Sequence, residues 1–170
     1  MAILKTLFDT SVYGKIIQEE KDIELKQKIE QRKDVVIYGN GIVSKELEDT
    51  PKQILDYKDE TNRLKRRLIE LYEFLVKDHT LEITGLIAYL SQEYLKICKP
   101  ISKISKEKLE HDFLIVACAS FYGLDIVVSE DNRTMFSTEA LKAYDKINTK
   151  ERLRTPKFIS LQEFEQILRL

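Results

Sequence analysis

Apolar positions recur along the chain in two rhythms, and their alternation sets the expected architecture. Residues 2–8, AILKTLF, read as a short buried strand that ends at the polar DTSVYG. From Val12 to Arg32, Ile16, Ile23 and Ile29 stand among Lys and Glu, which predicts one amphipathic helix. DVVIYGNG is a β-branched strand closed by a Gly-Asn-Gly turn, and IVSKELEDT is a short helix stopped by Pro51. Residues 58–78 carry Leu64, Leu68, Leu71 and Leu75 at helical spacing, with Lys65, Arg66 and Arg67 turned off that stripe. A further helix fits Gly85 to Cys98, with Leu86, Leu90 and Tyr94 inward, and these two helices form a candidate hairpin or clamp.

The stretch LEHDFLIVACASFYGLDIVVSEDN, Leu109 to Asn132, is acidic near its ends and almost wholly apolar between them. Leu109, Phe113, Val116 and Ser120 share one helical face, the run is long enough for a buried helix, and Gly123 suits the residue after its end. DIVVS then reads as a strand, EDNRTM as a loop, 138–149 as a helix, TPKFIS as a last strand and LQEFEQILRL as a closing helix. Strands alternating with helices predict an α/β fold, a mostly parallel sheet flanked by helices on both faces. No internal repeat or linker interrupts residues 1–170, so a single domain is expected, with a helical excursion around 51–80.

Length and composition narrow the classes. A chain of 170 residues buries a sizeable core, and 43% hydrophobic with 34% charged residues is a globular mixture. A net charge of −1 gives no overall attraction to nucleic acid, though it leaves room for a local basic patch. Cys98 and Cys118 lie in apolar surroundings at no metal-like spacing, as reduced core thiols do. Asp9 interrupts the first apolar run far too early for a leader or a spanning helix. The expectation is a cytoplasmic protein with no membrane association.

The topology makes a chemical prediction. In a parallel sheet with crossover helices, strand C-termini and helix N-termini share one rim, where ligands bind. Asp9 ends the first strand, Glu46 sits in the short helix after the second, Asp112 opens the buried helix, and Asp131 follows the next strand. Four carboxylates at one rim repel one another unless a cation joins them, and an all-oxygen set suits Mg2+ or Mn2+. Thr10, Ser11 and Ser129 add hydroxyls beside them. Each acid taken singly also fits a helix cap or a solvated helix position.

These residues carry a resemblance. LFDTSVYG, IVSKELED and HDFLIVACASFYGLDIVVSEDNRTMF, in this order and spacing, resemble the PIN domain, a metal-dependent ribonuclease fold found in VapC-type toxins and in RNA-processing nucleases. The likeness runs from about Met1 to about Leu168. It implies a parallel sheet flanked by helices as a three-layer sandwich, with Asp9, Glu46, Asp112 and Asp131 as catalytic metal ligands and Thr10 and Ser129 as polar assistants. It also implies endonucleolytic cleavage of RNA with Mg2+ or Mn2+, and for toxin members a homodimer neutralised by an antitoxin. Glu130 stands where the family usually has Asn, as an extra ligand or an altered pocket wall. Glu48 lies two positions from Glu46, Phe136 falls two places later than the family's Phe, and the excess length lies around 51–80.

Arg66, Arg67 and Arg133 are candidate contacts to an RNA backbone, although basic runs on helices are commonly solvated faces. A PIN-like scaffold that binds RNA or assembles without cleaving it is the non-enzyme alternative. A more remote one is an HD-type phosphohydrolase built on His79, His111, Asp112 and Asp145, which needs an all-helical fold.

Overall fold

The computed structural model describes residues 2–49, 58–98 and 105–169. The expected stop at Pro51 and the first part of the excursion around 51–80 lie outside these residues. Among the described residues the strands are β1 (Leu4–Phe8), β2 (Val35–Asn40), β3 (Thr80–Leu81), β4 (Ile126–Val128) and β5 (Lys157–Ile159). They form one sheet in the order β3-β2-β1-β4-β5, with every neighbouring pair parallel. The helices are α1 (Thr10–Gln18), α2 (Asp22–Gln31), α3 (Gly41–Asp49), α4 (Lys58–Val76), α5 (Gly85–Ile97), α6 (Lys106–Phe121), α7 (Thr138–Lys150) and α8 (Leu161–Arg169). Such a sheet is buried on both faces, which explains the unbroken apolar run of β4. The parallel sheet also rules out the all-helical alternative built on His79, His111, Asp112 and Asp145.

β1 is the central strand, Leu7 and Phe8 being fully buried, and it ends at the rim where α1 begins. α6 packs beneath the sheet with Phe113, Ile115, Val116, Ala117, Cys118 and Ala119 fully enclosed. It ends as expected at Gly123, whose φ of 63° is the left-handed geometry that glycine adopts without a Cβ penalty. Behind it, Tyr94 of α5 donates to Asn148 Oδ1 of α7, and Asn148 Nδ2 donates to Ser120 Oγ at 3.0 Å.

Four local expectations change. The helix from Val12 to Arg32 breaks in two: Glu20 takes a φ of 53°, its N–H and that of Lys21 return to Ile17 and Ile16, and α2 starts afresh at Asp22. Gly-Asn-Gly is no turn. β2 runs straight into α3, and Asn40 Oδ1 accepts from the N–H groups of Ile42 and Val43 as the helix cap. α4 packs on α1, α2, α3 and β2 while α5 packs on α6 and α7, so the two do not make a hairpin. The inward stripe of α5 is Ile87, Leu90, Ser91 and Tyr94, and Leu86 is exposed. No described helix is long and apolar enough to cross a membrane.

Candidate functional site

Asp9 occupies the N-cap position of α1 with extended backbone, yet its side chain caps nothing. Its Oδ2 accepts instead from Ser11 Oγ at 2.7 Å and from Ser129 Oγ, beyond β4, at 2.8 Å. The cap reading therefore fails for this acid. Burial pushes its carboxyl above the usual range and the charge of Glu46 adds to that, against the two hydroxyl bonds.

α3 carries Glu46 to the same rim. Thr10 Oγ1 donates to Glu46 Oε2, and His111 Nδ1 stands 2.9 Å from Oε1. In the second turn of α6, Asp112 is 4% exposed and accepts on Oδ2 from Thr134 Oγ1. Burial, with the charges of Asp9 and Asp131 behind it, pushes this carboxyl up to about 7 although Thr134 and Lys108 pull the other way. Asp131 accepts the N–H groups of Arg133 and Thr134 on Oδ1, each at 3.0 Å, and meets Lys108 Nζ at 2.8 Å through Oδ2. Burial opposes its ionisation, but the Lys108 ammonium and Thr134 hold it down to about 2.

Asp9, Glu46 and Asp112 line one open cleft of about 630 Å³ together with Thr10, Lys108 and His111. Asp131 stands behind Lys108, which lines the cleft and is bonded to it. Among the described residues, no three His, Cys, Asp or Glu side chains stand close enough together to hold a metal ion as they are placed. The donor chemistry nevertheless fits a hard divalent cation. The donors are all carboxylate oxygens, two of the carboxyls are buried, and the only cation between Asp112 and Asp131 in these contacts is an ammonium.

The fold recurs in solved structures. FitAB bound to an IR36 DNA fragment matches over 91% of this chain and 94% of its own, with a TM-score of 0.56 and 18% identity. FitAcB from Neisseria gonorrhoeae matches over 79% and 92%, with 0.55 and 20%. VapBC2 from Rickettsia felis, bound to a DNA fragment from its promoter, matches over 92% and 98%, with 0.58 and 12%. In these toxin–antitoxin complexes the toxin component is a PIN domain. The chain has the PIN-like fold. No protein-family model and no curated protein matches the sequence.

On this PIN-like fold the remaining candidates fall in different places. Ser129 Oγ lies at the centre of the rim, donating to Asp9 and accepting from Asp131 N–H at 3.0 Å. Glu130 turns the other way. Its Oε2 meets Lys15 Nζ at 2.6 Å and its Oε1 accepts from Leu161 N–H at 2.8 Å, so it ties α1 to the start of α8. Arg67 pairs with Asp22 of α2 at 3.0 Å, and Arg66 lies on the exposed side of α4 opposite Glu70. Arg133 is exposed beside Asp131.

Sequence reasoning passed over Lys108 and Thr134, named Ser11 as a hydroxyl beside the acids, and placed His111 only in the remote HD-type alternative. Lys108 had a readable signal, since it precedes Asp112 by one helical turn. Thr134 had none, because its contact depends on how the loop after β4 folds back over the rim.

Proposed function

We propose that the chain is a metal-dependent endoribonuclease of the PIN type, and the toxin of a toxin–antitoxin pair. The observation that carries this reading is the pair of buried carboxyls, Asp9 and Asp112, at the rim. Their charges act on one another, and Asp9 is spared from capping the helix it precedes. A folded chain keeps such a costly pair where a cation or a reaction requires it.

Asp9, Glu46, Asp112 and Asp131 would hold Mg2+ or Mn2+, and the ion would neutralise them, orient the phosphodiester and lower the pKa of water. The chain's own part is positioning. Ser11 and Ser129 fix the Asp9 carboxylate, Thr10 and His111 fix Glu46, and Thr134 fixes Asp112. Arg133, exposed beside Asp131, would offer positive charge to the RNA backbone, and Arg66 would offer it on α4 for a longer RNA. A homodimer in the cytoplasm, bound by an antitoxin, completes the proposal, and the similarity to FitAB and VapBC complexes supports the antitoxin.

A PIN-like scaffold that binds RNA without cutting it is favoured by one observation, the Lys108 ammonium lying between Asp112 and Asp131. RNA cleavage with Mn2+ separates the two readings when the parent is compared with Asp9→Asn and Asp112→Asn. Loss of cleavage in both variants supports the nuclease. Equal cleavage in all three overturns the assigned site, and RNA binding without cleavage by the parent supports the scaffold.

A further inference from the structure

Lys108 stands in an unusual place for a lysine. It lies in the first turn of α6, where the positive end of the helix disfavours a cation, and its N–H already serves the cap by donating to Ser105 Oγ at 3.2 Å. Its Nζ reaches Asp131 Oδ2 at 2.8 Å and Asp112 Oδ2 at 4.0 Å. The lysine side chain is 55% exposed, while those of Asp131 and Asp112 are 13% and 5% exposed. The ammonium thus covers the two acids from the solvent side, at the mouth of the cleft lined by Asp9 and Glu46.

We infer that Lys108 is a built-in counter-ion of this pocket, and that a divalent ion enters by displacing its ammonium from Asp131 and Asp112. The inference rests on the metal-dependent reading above and adds its regulation: Lys108 sets the metal concentration at which the site loads. The physical basis is competition. Before an ion binds, one ammonium neutralises part of a crowded carboxylate set. A divalent ion brings two charges and direct oxygen bonds, so it outcompetes the ammonium, but it must first break the Lys108–Asp131 pair. Lysine suits the role because its head is a compact charge on a flexible four-carbon stem that swings into water without disturbing the helix. The freed ammonium stays at the cleft mouth, within reach of an incoming phosphate.

The test is Mn2+ titration into the metal-free full chain, followed by calorimetry and by the electron paramagnetic resonance of free Mn2+. The parent is compared with Lys108→Met, which keeps the stem and removes the charge, and Lys108→Arg, which keeps the charge. Lys108→Met is expected to tighten Mn2+ binding about threefold to tenfold, the range of a partly exposed ion pair. Lys108→Arg is expected to stay within about twofold of the parent on the same reasoning. Mn2+ is also expected to raise the melting temperature of Lys108→Met by more than that of the parent. Unchanged or weaker binding in Lys108→Met overturns the counter-ion role, as does equal tightening in Lys108→Arg. No Mn2+ binding by either the parent or Lys108→Met overturns the metal reading itself, and this inference with it.

Discussion

His111 Nδ1 meets Glu46 Oε1 at 2.9 Å, joining α6 to α3 across a separation of 65 positions in the chain. The ring is the steadying partner of a carboxylate whose other oxygen is held by Thr10. His111→Ala is expected to lower Mn2+-dependent RNA cleavage by about tenfold, the typical loss when a group orienting a ligand is removed. Glu46→Gln should cost more than His111→Ala in the same assay. A full-activity His111→Ala variant would show that Glu46 needs no orienting partner.

Asp112 should make the metal-free chain sensitive to alkali. Its folded-state value of about 7 lies above the ordinary 3.8, so the folded chain holds this proton more tightly than the unfolded chain. Its contribution to stability is therefore fully present below about pH 4 and is lost as pH rises through 7. Asp112→Asn removes the buried charge and keeps an acceptor for Thr134. At pH 8 in a chelator it is expected to melt on the order of 5 °C above the parent, with the gap closing towards pH 4. Asp131 acts with the opposite sign. Its value of about 2 means that its stabilisation is present above 3.8 and is lost only as pH falls through 2.

Glu130 is expected to matter for stability and not for cleavage. Glu130→Ala removes both the acceptor for Leu161 N–H and the partner of Lys15, and should cost about 1–2 kcal/mol in denaturant unfolding. Glu130→Gln keeps the acceptor and should recover most of that loss. Cleavage by folded Glu130→Ala should stay within about twofold of the parent, since an effect of removing a metal ligand is far larger.

Gly39 is fixed by its neighbour. A Cβ there would lie 2.3 Å from the Tyr72 hydroxyl and 2.7 Å from its ring carbon, too close for any residue but glycine. Gly39→Ala is expected to cost about 1–3 kcal/mol by forcing Tyr72 off its site. Adding Tyr72→Leu should make the double variant less unstable than the sum of the two single losses, and strict additivity would refute the steric account.

The strands β1, β2, β4 and β5 and the buried helix α6 were legible because each is signalled locally, by a β-branched run or by an apolar stretch of helical length. The rim position of Asp9 and Asp112 followed from the topology. What stayed hidden depends on partners far away in the chain. Glu130 is explained by Lys15 and Leu161, 115 and 31 positions off, and no local pattern joins them. The break at Glu20 carries no glycine or proline to announce it, and β3 is two residues whose strand character comes only from lying beside Gly39 and Asn40. The first inward position of α5 shows the same limit: Leu90 and Tyr94 are inside as expected, but Leu86 is as apolar as Ile87, and only the packed neighbours decide which of them is buried.

The bond from Ser129 to Asp9 spans 120 positions, and it has a meaning in time. Synthesis delivers β1 first, but β1 is the middle strand and waits with one edge bare until β4 has left the ribosome. Asp9 gains its second hydroxyl partner, and Asp112 its Thr134, only after β4 and the loop beyond it have been made. Closing such long loops also makes folding slow. A nascent chain that stops before β4 is thus a sheet without its rim, so the acidic pocket exists only once the residues that follow β4 have been made.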